Sequence, residues 1–353
     1  MIPGLLLLAA LALPAPAADP AAAADREVRA VFVKLEGLLA RQSGADARAV
    51  AALGREIESL APAVLRWKWR AVAPLERVMT DPARPVKSRL YALSFLSLTG
   101  DPLAFPPLRR LLLDPGQPAA LRSAAAAGLA GLGASRQARR AALCAALAQE
   151  DIPDETARAA LLEASRLGCD EASVLEDRAR RGGLRPEGAA ARDAELAAAG
   201  LGRSFPISAA RALARLLGFY PAGSPLKTAV LRALWEKRRD LPALRAEAAG
   251  ALTAAIRSES GRPESIAAAA AVLASLDDPG HVPLLRRLLS YPDAEVATAA
   301  AEALAQLQVF PAREDIARLL ARVHEDKRFA PQPGRPAPHA LIERLQAAQR
   351  RLR

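Results

Sequence analysis

Apolar residues along this chain fall at the spacing of a single helix face almost throughout. In "EVRAVFVKLEGLLARQ" (27–42), Val28, Val31, Phe32, Leu35, Leu38 and Leu39 share one stripe; in "ARAVAALGREIESL" (47–60), Leu53, Ile57 and Leu60 do the same. The segments "LRSAAAAGLAGLG" (121–133), "LKTAVLRALW" (226–235), "LRAEAAGALTAA" (244–255) and "VATAAAEALAQLQ" (296–308) each set an aliphatic residue ahead of small or aliphatic ones at four, five, seven and eight positions on. "PLRRLLL" turns Leu108, Leu111 and Leu112 to one side and Arg109 and Arg110 to the other. Strand alternation is scarce. The pattern predicts helices from end to end.

The helices come in copies. "DPLAFPPLRRLLLDP" (101–115) returns 177 residues later as "DPGHVPLLRRLLSYP" (278–292), with nine of fifteen positions identical. Breaks at Asp81-Pro82, Asp101-Pro102, Asp114-Pro115, Gly168, Pro221, Pro263, Asp278-Pro279 and Pro292 mark turns, because Pro starts a helix but cannot continue one and Gly ends it. Units therefore begin near 64, 101, 134, 169, 204, 240 and 277, with a last one from 309. Each is a helical hairpin too poor in large side chains to cover its own apolar face, so neighbours must stack. The unit at 169 carries few large apolar residues and predicts a bend or softer packing. In 204–277 the phase is open, since "LRAEAAGALTAA" and "IAAAAAVLASLDDP" both read as second helices.

These units resemble the HEAT-repeat family, in the short bacterial form related to the repeats of phycocyanobilin lyases. Pro106 and Pro283 occupy the early proline of the first helix, and the "V-R-x-x-A-A-x-A-L-G-x-L-G" motif is matched best by the units at 101 and 277. The resemblance implies an all-α, right-handed α-solenoid of about eight antiparallel hairpins. The expected organisation is a signal peptide at 1–18, capping helices at 19–63, repeats at 64–325, a Pro-rich spacer at 326–338 that includes "FAPQPGRPAP" (329–338), and an amphipathic helix at 339–353. That last helix lines up Leu341, Leu345, Ala348 and Leu352; it reads as a terminal cap, or as a helix lying on an anionic membrane.

Composition adds compartment and charge. The apolar run Leu5–Leu13, followed by Ala15-Pro16-Ala17, fits a secretory leader without a lipid-bearing Cys, which places the mature chain in the periplasm or outside the cell. The two cysteines, Cys144 and Cys169, stand on different elements at a spacing that fixes no geometry; independent thiols are the simpler expectation and a bridge the alternative. Net charge is +11. Only six of the 49 basic residues are Lys, so an arginine-rich coding bias accounts for the charge as well as an anionic ligand does.

No catalytic, cofactor or metal constellation stands out. Cys144 and Cys169 have no His beside them for a zinc site, and "GLGASR" (131–136) lacks the strand and third Gly of a dinucleotide loop. HEAT-like deoxyhypusine hydroxylases hold iron through several His-Glu pairs; His324-Glu325 is one pair, with His281 and His339 apart from it. The partner-binding candidates are Trp67 and Trp69 in "RWKWR", and the bases Arg122, Lys227 and Arg245 at the second position of the repeat motif. On a helix the two Trp point about 200° apart, so one can enter the core while the other is exposed or at a repeat junction, where it serves as an interface hot spot or packs against the N-terminal helix. The bases either build a ladder inside the stack, with Asp114 for Arg122, or form a basic strip on the inner face. The resulting expectation is an exported scaffold that binds another protein along its concave face. The competing readings are a basic solenoid that binds nucleic acid or another polyanion, and, with fold analogy alone behind it, a HEAT-type lyase.

Overall fold

The computed structural model describes residues 19–42, 46–184, 188–205, 207–221, 223–258, 262–321 and 337–352. The expected leader, most of the Pro-rich spacer and His324 lie outside the described residues. Those described are helical with no strand, and they form two compact units, up to Ala134 and from Ser135.

In the first unit, α1 (Pro20–Gln42) buries Val28, Val31, Phe32, Leu35 and Leu38 against α2 (Ala47–Glu58), α3 (Ala61–Leu65), α4 (Val72–Thr80) and α5 (Val86–Leu98). Phe32 meets Phe95 edge-on at 6.0 Å. Asp25 takes Arg77 at 2.5 Å, and Glu36 takes Arg84 at 2.7 Å and the Ser88 hydroxyl at 2.8 Å, so α1 is fastened to the first hairpin, α4/α5. The second hairpin is α6 (Phe105–Leu113) with α7 (Ala119–Ala130).

Among the described residues of the second unit, six hairpins stand out. They are α8/α9 (Arg136–Leu147, Asp154–Leu167), α10/α11 (Ala172–Gly183, Gly188–Arg203), α12/α13 (Ile207–Phe219, Pro225–Glu236), α14/α15 (Arg245–Ser258, Pro263–Ala274), α16/α17 (Val282–Leu288, Ala294–Gln306) and α18/α19 (Ala312–Ala321, Pro338–Arg351). Second helices pack in chain order, α9 on α11, then α13, α15, α17 and α19; first helices form the other layer. This is the arrangement of an α-solenoid. It fixes the phase in 204–277: α14 is a first helix and α15 its second.

The duplicated phrase builds the same local structure twice. Asp101 and Asp278 each accept a hydrogen bond at 2.9 Å from the backbone N–H two residues on, a 3-10 turn follows, and α6 or α16 begins. Leu108, Leu111 and Leu112 in one copy, and Leu285, Leu288 and Leu289 in the other, are buried at matching positions.

The unit at 169 corrects its expectation. Its hairpin is not loosely packed, because small residues let backbones approach. A Cβ on Gly182 would run into the Ala190 carbonyl oxygen, and one on Gly200 would sit 2.9 Å from Leu175 Cδ1 and 3.1 Å from Ala164 O. The cysteines also differ from expectation: Cys144 on α8 and Cys169 in the α9–α10 turn form a disulfide, with Cα atoms 5.8 Å apart. Folding α9 back on α8 closes the sequence gap that made them look independent. At the other end α19 lays Leu341, Leu345 and Ala348 against α17 and α18, while Arg344 grips Glu302 through two hydrogen bonds of 2.9 and 2.6 Å. Its apolar stripe is covered by the stack.

Candidate interaction surface

The "RWKWR" stretch is not one helix. Lys68 takes φ +48°, which breaks the chain between α3 and α4 into a short 3-10 turn and sends the two Trp rings to different surroundings. Trp67 is half-buried and donates from Nε1 to Glu27 Oε2 at 2.7 Å; Arg66 pairs with the same carboxylate and covers the ring. Those hydrogen bonds and the Arg66 charge outweigh desolvation and hold the Glu27 carboxyl below its ordinary range. Trp69 is 50% exposed, with the Arg70 guanidinium 4.5 Å from its ring centre. The pair thus divides: Trp67 docks on α1 and Trp69 faces solvent.

The three motif bases are not gathered into one strip. Arg122 is 2% exposed and donates from Nε to Leu112 O at 3.0 Å, capping a carbonyl at the end of α6. Burial pulls its pKa below the usual arginine value, and the Asp114 charge opposes that. Lys227 is buried and reaches Ser258 Oγ at 3.5 Å, whereas Arg245 is exposed at the start of α14 and donates to Leu276 O at 3.1 Å. Arg89, four residues after Pro85 as Arg122 is four after Pro118, makes the same kind of bond to Met79 O at 2.7 Å. Sequence reading passed it over because "VKSRLYAL" lacks the alanine run of the other copies.

Charged side chains tie neighbouring helices of the second unit. Arg158 meets Asp193, Arg203 meets Glu236 and Arg211 meets Glu247 at 3.2, 3.4 and 2.9 Å. Glu176 on α10 receives Arg215 from α12 at 2.5 Å and Arg180 from its own helix at 2.8 Å. Burial alone would raise the Glu176 pKa; the two guanidinium groups outweigh it and keep the carboxylate ionised.

Across the second helices α11, α13 and α15 runs a groove of about 600 Å³, floored by Ala199, Ala229 and Ala233 and edged by charged residues. Arg192 pairs with Glu195 at 3.1 Å and Glu236 is taken by Arg203, but Arg232 and Arg262 meet no carboxylate among the described residues. Neither was singled out in the sequence. Arg232 lies on the outward stripe of α13, and Arg262 stands just before α15, a position that acquires meaning only once the helices are aligned. Among the described residues no group of three or more His, Cys, Asp or Glu is placed to hold a metal, and no helix is long and apolar enough to cross a membrane.

Stacked antiparallel hairpins joined by nearest-neighbour contacts define a helical repeat protein. Residues 251–330, from α14 through α18, match the family model for HEAT repeats. Among solved structures it is similar to human deoxyhypusine hydroxylase in complex with glycerol, at 17% identity over 82% of this chain and 98% of that one, with a TM-score of 0.32. It is also similar to an engineered protein, at 17% identity over 96% of both chains, with a TM-score of 0.46. Comparison with curated proteins returns no match.

Proposed function

We propose that this protein is an exported, non-catalytic HEAT-repeat scaffold that holds a protein partner on the second-helix face of its second unit. The observation that carries this reading is the groove over α11, α13 and α15, where Arg232 and Arg262 stand beside a floor of alanines and make no ion pair among the described residues, while the Glu195 and Glu236 carboxylates at its edge are taken by Arg192 and Arg203. A guanidinium offers a planar fork of donors, best used by a carboxylate, and alanines let an incoming backbone come close. Export is supported by the leader-like first eighteen residues and by the Cys144–Cys169 bridge, since disulfides persist in oxidising compartments.

Site-specific photo-crosslinking tests the reading in the source cell. A crosslinker at position 229, in the groove, should capture one partner that a crosslinker at position 254, on α14, does not. The adduct should disappear when Arg232→Glu and Arg262→Glu are combined. Equal capture from both positions, or an adduct indifferent to the two arginines, overturns the assignment.

A further inference from the structure

The net positive charge is not spread evenly over the second unit. Its first helices, α8, α10, α12, α14, α16 and α18, carry fourteen arginines against five carboxylates. Its second helices, α9, α11, α13, α15, α17 and α19, carry nine basic residues against ten acidic ones. An arginine-rich coding bias would load both layers alike. Here one layer is strongly basic and the other close to neutral.

Ion pairing inside the first-helix layer leaves much of that charge uncompensated. Arg180 and Arg215 share Glu176, Arg181 takes Asp177, Arg211 takes Glu247, and Arg286 and Arg318 share Asp315. Arg257, Arg287 and Arg313 are exposed and meet no carboxylate among the described residues, and Arg245 is spent on a carbonyl. The same layer also exposes apolar side chains. Leu184, just past the end of α10, is 72% exposed, and Phe219, at the end of α12, is 38% exposed. The two ends are neighbours, since Gly183 lies against the Tyr220 ring, and the Arg180 guanidinium sits 5.4 Å from the Phe219 ring centre.

We infer that the first-helix layer of the second unit docks on an anionic lipid surface, with Arg257, Arg287 and Arg313 meeting headgroup phosphates while Leu184 and Phe219 enter the interface. Each arginine near such a surface gains about 1 kcal/mol, a factor of roughly five in affinity, so three together produce a large effect. A polyphosphate backbone would reward the arginines equally but would gain nothing from Leu184. The mixture of dispersed guanidinium groups with an apolar pair is what a headgroup region accommodates, because charge and hydrocarbon lie there within one side-chain length. The neutral second-helix layer then stays clear of the surface, so this docking is independent of the groove over α11, α13 and α15.

The test uses the purified chain with vesicles of phosphatidylglycerol mixed with phosphatidylcholine, and with phosphatidylcholine alone, in a flotation assay. The chain should float with the anionic vesicles only. Combining Arg257→Glu, Arg287→Glu and Arg313→Glu should weaken binding at least about tenfold, while Arg232→Glu leaves it unchanged. Leu184→Ser with Phe219→Ser should keep binding at low salt and lose it as salt is raised, since the screened charges then act alone. Circular dichroism confirms that each variant stays folded; if the triple variant unfolds, Arg→Gln at the same positions replaces it. No flotation, an equal loss from Arg232→Glu, or retention on heparin or duplex DNA without flotation overturns the inference.

Discussion

Hairpins α10/α11 and α16/α17 occupy equivalent places in the stack and are held there by different chemistry. The second buries Leu285, Leu288, Leu289, Val296 and Leu304, and lies inside the stretch that matches the family model. The first has Leu175 as the one large apolar residue that α10 buries, and its partner helix offers mainly Ala and Gly. What α10/α11 lacks in bulk it recovers by proximity and polar anchoring. Gly182 and Gly200 admit neighbouring backbones, Arg178 donates to Leu147 O and Gln149 O, and the Tyr220 hydroxyl donates to Ala179 O at 2.8 Å. A disulfide sits at its entrance. One arrangement can therefore be specified by apolar volume or by close approach, and a motif written in large aliphatic residues finds only the first.

The comparison can be broken at its strongest point. Leu285→Ala, in the bulk-dependent hairpin, should cost roughly 2–5 kcal/mol through the cavity it leaves. Gly182→Ala adds a single methyl yet should cost about 1–3 kcal/mol, because that methyl meets backbone. As a control, Gly250→Ala on α14 has open space around it and should gain about 0.5–1 kcal/mol. Urea unfolding midpoints separate the three; a silent Gly182→Ala would show that proximity does not hold α10/α11. The bridge adds a test on the scale of the Leu285 cavity. Cys144→Ser with Cys169→Ser frees a loop of 25 residues and should cost roughly 2–4 kcal/mol, with the loss first seen as faster amide exchange in α8 and α10.

The smallest effect sharpens the comparison through pH. Burial pushes the Tyr220 phenol up to about 12, with Arg180 pulling the other way. A folded-state pKa above the unfolded value of about 10 means that this stabilisation is whole below pH 10 and is lost between pH 10 and 12. Tyr220→Phe should cost about 1 kcal/mol at neutral pH, from the lost hydrogen bond. It should also flatten the fall in stability across that alkaline window. A steep fall that survives the substitution would place its origin elsewhere.

What the sequence disclosed, and what it withheld, follows from the range of each signal. Helices and their turns depend on residues a few positions apart, so stripes such as Leu108, Leu111 and Leu112 could be read directly. The Cys144–Cys169 bond depends on how α9 folds back on α8, and no spacing rule contains that. Trp67 and Trp69 could be separated into an inner and an outer ring by helical geometry, although the break at Lys68, not a continuous helix, is what separates them. For Arg122 and Lys227 the sequence left open a ladder inside the stack or a basic strip on the inner face, because burial depends on the neighbouring hairpin; in the stack both are buried and reach carbonyl and hydroxyl partners. The segregation of charge between layers was present in the composition, but it becomes visible only after each helix has been assigned to a layer.

Ties that reach no further than the adjacent hairpin also govern how the second unit yields to mechanical load. Pulled from one end, such a stack should lengthen in steps of one hairpin, each release leaving the rest of the array intact. The Cys144–Cys169 crosslink withholds the 25-residue stretch it spans from that extension until a reductant opens it. The shortfall in contour length is thus a direct reading of the bridge in the folded molecule.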